Sequence, residues 1–145
     1  MMNRILLALA LTGLSGAALA VDAPDLPVTQ APAGAAVYII SPANGATVGR
    51  DVIVRFGLKG MGVAPAGVTR EHTGHHHLLV DVKQLPAAGQ PIPNDAQHIH
   101  FGGGQTETTL TLTPGTHILQ LELGDAHHVP FGPPLVSKRI TIHVK

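Results

Sequence analysis

Nine of the ten histidines in this 145-residue chain fall between positions 72 and 128. Seven of these nine arrive in three blocks: GHHHLLVD at 74–81, QHIHF at 97–101 and GDAHHVP at 124–130. Neutral imidazole is a ligand for zinc, copper(II) and nickel, whereas copper(I) favours sulfur. There is no cysteine, and Met61 is the one methionine outside the first two positions. The chemistry on offer is therefore a divalent transition metal, copper or zinc. With an unperturbed pKa near 6.5, the same residues also suit a proton-responsive patch.

Side chains alternate across a strand, so each block can be assigned faces. In HHHLLVDV, the set His76, Leu78, Val80 and Val82 is the more apolar and is expected to face the core, leaving His75, His77, Leu79 and Asp81 outside. In QHIHF, Ile99 and Phe101 turn inward, and His98 and His100 outward. Residues two apart on a strand lie about 6.6 to 6.8 Å apart, and neighbouring strands about 4.7 to 4.9 Å apart. If these two strands are neighbours, His75, His77, His98 and His100 form one surface patch able to hold an ion. Asp81 or the loop residues His127 and His128 would then act as supplementary ligands or orient the others. His117 runs in register with Leu119, Leu121 and Leu123 and is expected to point inward with His76, both as hydrogen-bonded interior histidines. His72 and His143 read as surface residues.

Other chemistries find little support. After position 20 the only serines are Ser41 and Ser137, neither in a G-x-S-x-G elbow, so a serine nucleophile has no setting. GGG at 102–104 lacks the Lys-Ser/Thr ending of a phosphate loop and precedes a Thr-rich strand. It reads as a tight turn or as close backbone packing beside His100. The acids are scattered, with no pair spaced for acid and base roles. One metalloenzyme pattern is faintly similar: His75-x-His77 with Asp81, followed by Pro114-Gly115-Thr116-His117, resembles the ligand arrangement of cupins, with Asp in place of their usual Glu.

The elements that must position these residues are strands. Apolar residues alternate from Val37 onward, and Gly, Pro and Asn fill the gaps. Strands are predicted near 37–41, 51–59, 75–83, 97–101, 106–113, 116–123 and 138–144, with an Asn-Gly turn in SPANGATV between the first two. About seven short strands predict an all-β, two-sheet antiparallel sandwich of immunoglobulin-like size, without the Cys and Trp hallmarks of antibody domains. That domain is expected over 37–145, preceded by a flexible Pro/Ala-rich leader at 21–36 and a signal peptide at 1–20, where Arg4 precedes an apolar run ending Ala18-Leu19-Ala20. The expected location is periplasmic or secreted, with no membrane insertion after signal cleavage. Without Arg4 the chain carries eight Lys+Arg against nine Asp+Glu and only four aromatic residues. With neither a basic stripe nor a stacking platform, nucleic acid is excluded as a partner.

HTGHHHLLVD, PIPNDAQHIHFGGGQTET, LTPGTHILQLELGDAHHVP and PPLVSKRITI together resemble a family of exported bacterial proteins known only as a domain of unknown function, number 4399. The likeness spans about residues 37–144 and implies export and a single domain, with no catalytic residue to carry over. A looser resemblance, to small immunoglobulin-like copper-handling proteins of the bacterial periplasm, implies an ion held by histidines and an aspartate. No histidine stands at the expected mature end Val21-Asp22-Ala23, where those proteins often present one. The sequence thus points to metal binding or delivery rather than covalent catalysis. The alternative is an interaction domain for a periplasmic protein partner, with hydrogen-bonded histidines and no metal.

Overall fold

The third strand of the domain shows how sequence becomes structure. Along DVIVRFGLK, Val52, Val54 and Phe56 are buried, whereas Asp51, Ile53 and Arg55 are exposed, the period-two burial of a strand with one face on a core. A computed structural model describes residues 24–145, and the signal peptide expected at 1–20 lies outside that range. The elements are β1 (Ala36–Ser41), β2 (Thr47–Val48), β3 (Asp51–Lys59), β4 (Gly62–Val63), β5 (Thr73–Val80), β6 (His98–His100), β7 (Glu107–Thr111), β8 (Gly115–Gly124) and β9 (Ile140–Val144). No α-helix occurs among the described residues, and none of their elements is a helix able to cross a membrane.

The strands form two sheets, one in the order β1-β3-β7 and one in the order β2-β9-β8-β5-β4, with β6 also paired to β5. Between them lies a core that includes Val54, Phe56, Leu78, Leu119, Leu121, Leu123 and Ile142. The all-β, two-sheet expectation holds. Its antiparallel description needs correction, because the two-residue strands β2 and β4 run parallel to β9 and β5. Neither was legible in advance, since two residues show no alternation.

The adjacency assumed for the histidine strands is present. β5 and β6 pair antiparallel, with His77 opposite His100 and Leu79 opposite His98. On its other edge β5 pairs with β8, which sets His75 against Gly124, His77 against Glu122 and Leu79 against Gln120. The face carrying His75 and His77 is not solvated, contrary to the expected surface patch: His75, His77, Leu79 and Glu122 are all essentially inaccessible. Irregular chain closes over it. The connection between β5 and β6 meets the turn after β8 where the Ile92 amide donates to the His128 carbonyl at 2.8 Å, and Ile92 and Val129 are buried there.

The segment preceding β1 takes part in this closure. The Leu26 amide donates to the Gly89 carbonyl at 2.7 Å, the Ala31 amide to Gly132 at 2.9 Å, and the Thr29 hydroxyl to the Asp125 carboxylate at 2.6 Å.

Candidate metal centre

Four imidazoles meet on the closed face. His75 and His77 come from β5, where alternation points them the same way, and His100 from β6. His128 comes from the turn after β8. Their ring centroids are separated by 4.9 Å (75–77), 5.0 Å (75–100), 5.1 Å (75–128), 5.0 Å (77–100), 6.2 Å (77–128) and 4.7 Å (100–128). Ligand atoms of His75, His100 and His128 lie within 4.8 Å of one another. The Nε2 atoms of His75 and His77 are 3.1 Å apart. Four nitrogens about 2.0 to 2.1 Å from a tetrahedral zinc would be about 3.3 to 3.4 Å apart, so that pair already stands near ligand spacing.

The turn that supplies His128 is built by Asp125. One of its carboxylate oxygens accepts from the amides of His127 at 2.9 Å and Val129 at 3.0 Å, and its backbone carbonyl accepts from the His128 amide at 3.0 Å. His128 adopts a positive φ of 68°, a conformation rare for a side chain-bearing residue, and the turn directs its ring back to β5. Its neighbour His127 is left exposed on the outside.

Two glycines make room for the rings. A Cβ at Gly124 would sit 2.8 Å from Nε2 of His77, and one at Gly102 would collide with the His100 ring. The close packing expected of GGG beside His100 is therefore present at its first glycine.

The site is electrostatically unusual. Burial, followed by the neighbouring imidazoles His100 and His128, lowers His75 to about 4. Burial and then His75, His100 and His128 lower His77 to about 2. His100 is lowered by burial and by His128. These rings are thus neutral near pH 7, the form in which imidazole ligates. Nδ1 of His75, Nδ1 of His77 and Nε2 of His100 are buried with no hydrogen-bond partner. Each such group costs about 1 to 3 kcal/mol unless something binds it.

The other candidates lie elsewhere. His98 turns to Asp95, whose carboxylate is 2.9 Å from Nδ1. Asp81, expected beside His75 and His77, follows the last residue of β5 and adopts φ 57°, which breaks the alternation. Its carboxylate instead lies 2.7 Å from Nδ1 of His117 and accepts from the Ile118 amide at 2.7 Å. Asp81 and His117 thus meet each other rather than His75 and His77, which removes the cupin-like convergence. His76 packs against Phe56 with ring centroids 5.2 Å apart. The backbone of Gly57 and Gln105 stands near its ring without the geometry of a hydrogen bond.

The chain matches the family described as "Domain of unknown function (DUF4399)" over residues 54–145, more than half of its length. The chain belongs to that family. The four converging histidines of this DUF4399 chain all lie within the matched region. No curated protein and no solved structure matches the chain.

Sequence reasoning missed Glu122. Its side chain is fully buried, both carboxylate oxygens lack a partner, and burial raises its pKa to about 7. Alternation does place it opposite the leucines of β8, but nothing in the sequence signals that this face is covered.

Proposed function

We propose that this chain is an exported sandwich domain, immunoglobulin-like in plan, that binds one divalent transition metal through His75, His77, His100 and His128 for binding or delivery. The observation that carries the reading is the clustering of the four rings, with five centroid separations of 4.7 to 5.1 Å and one of 6.2 Å, together with buried nitrogens that lack partners. The absence of Cys and the neutrality of the rings suit the same chemistry.

The spacing also favours one metal over another. A square of ligands leaves two long diagonals, whereas here only the 77–128 separation is long, at 6.2 Å, and the crossing pair 75–100 is 5.0 Å apart. The ring centroids therefore outline a distorted tetrahedron rather than a square, an arrangement that favours zinc over the tetragonal preference of copper(II). Calorimetric titration of metal-stripped protein with zinc, copper(II) and nickel tests the reading, and the expected result is one tight zinc site per chain. Cobalt(II), as a spectroscopic substitute, is expected to give the intense visible bands of a tetrahedral field. Weak binding of many ions per chain would refute the reading and turn attention to the protein-interaction alternative.

A further inference from the structure

Two buried carboxylates stand near the histidine group, and they differ in what occupies them. Asp125 accepts three hydrogen bonds, from the Thr29 hydroxyl and from the amides of His127 and Val129. Glu122 accepts none, although it is completely shielded from solvent. It lies directly across from His77 in the β5–β8 ladder. Residues opposed in this way share a face, with Cβ atoms about 4.5 to 5.5 Å apart. His77 is itself half-used: its Nε2 faces the Nε2 of His75, while its Nδ1 is buried without a partner.

A ring with an unpartnered nitrogen and an unpartnered carboxylate thus stand opposite one another in the ladder, on the same face of two paired strands. Four neutral imidazoles around a divalent cation would leave two positive charges buried, an arrangement stable only with a compensating anion. Imidazoles that ligate a metal through one nitrogen commonly donate the other N–H to a carboxylate, which fixes the ring and strengthens the ligand. Glu122 stands outside the group of His75, His100 and His128 whose ligand atoms lie within 4.8 Å of one another, and its pairing with His77 in the ladder sets it beside that ring.

We infer that Glu122 is the positioning residue of the metal site, its carboxylate accepting the Nδ1–H of His77 when Nε2 holds the ion. The inference rests on the metal-binding reading above. Without an ion, the same carboxylate is an unsatisfied buried group that weakens the fold.

The test is E122Q, with E122M as a second variant that removes both oxygens. Zinc affinity is measured by competition with a chromophoric chelator, and thermal unfolding is followed on the metal-free forms. The expected result is a zinc affinity lowered about 10- to 100-fold in both variants, with the metal-free melting temperature unchanged or raised. Wild-type zinc affinity in the variants would overturn the inference, as would a loss of affinity accompanied by a lower metal-free melting temperature, which would make Glu122 a residue of the fold alone. If the wild-type protein itself takes up no zinc, it is the metal-binding reading that fails.

Discussion

The two ends of the β5–β8 ladder use the same residue type in opposite ways. At one end His75 and His77 join His100 and His128, are fully buried, and meet each other through Nε2 while each keeps an Nδ1 without a partner. At the other end, His117 has Nδ1 2.7 Å from the Asp81 carboxylate and Nε2 2.9 Å from the Thr113 carbonyl. Both neighbours of His117 are acceptors, so it is fully satisfied when both its nitrogens carry protons, and its pKa is raised, first by Asp81 and then by Thr113. Burial and mutual repulsion lower His75 and His77 instead. A histidine with both nitrogens engaged is finished as a structural element, whereas one buried with a free nitrogen is incomplete until something binds it.

Alanine at His75 and His77 together should break this contrast most completely, abolishing the stoichiometric zinc site in calorimetry, while H117A leaves it intact. Equal losses in the two variants would mean that the fold, not the ligand set, was being measured. The next largest effect is expected for G124A. Its new methyl group would meet Nε2 of His77 at 2.8 Å, so zinc binding should weaken at least about tenfold and the metal-free protein lose about 1 to 3 kcal/mol, read by denaturant unfolding.

Acid should separate the two ends further. In the metal-free protein His75 and His76 are held at about 4 and His77 at about 2, whereas the unfolded chain takes up these protons near 6.5. Below 6.5 the unfolded state therefore binds more protons, and stability falls as pH falls. Glu122, raised to about 7 from an ordinary 4.5, acts in the opposite sense across that interval, since there the folded form holds its proton. Three histidines outweigh one carboxyl. A net loss of about 1 to 3 kcal/mol between pH 6.5 and 5 is expected in urea melts of the metal-free protein. Zinc binding should persist to pH 5 and fail towards 4, because protons compete poorly for rings so hard to protonate. Release centred on pH 6.5 would indicate ordinary solvated histidines.

The smallest effect belongs to the satisfied end. His117, with a raised pKa, contributes stability that is fully present below 6.5 and is lost as pH rises through its folded value. D81N should flatten that dependence at a cost below about 1.5 kcal/mol, with zinc affinity unchanged.

These contrasts also show what the sequence could carry. The facing of His75, His77 and His100 was legible because alternation in a strand is a local property. Their adjacency was not, since the pairing of β5 with β6 spans a connection of 17 residues with no regular structure. Asp81 was placed with the group because alternation was continued past the end of β5, where a positive φ breaks it, whereas His98 does share the face of His100 within β6 but its ring is taken up by the Asp95 carboxylate. Burial of the whole face was invisible for a related reason. The segments that cover it are irregular and rich in Gly and Pro, and such segments give no period from which a packing partner can be read.

The hydrogen bond from Thr29 to Asp125 joins positions 96 apart in the chain. Asp125 shapes the turn that presents His128, so the last imidazole is set in place by a contact closing a loop through most of the described residues. Such long closures form late, after the local turns and hairpins. The four-histidine group is consequently complete only in a chain that has finished folding and kept the residues ahead of β1, and clipping that segment is expected to loosen His128, nearly a hundred residues away.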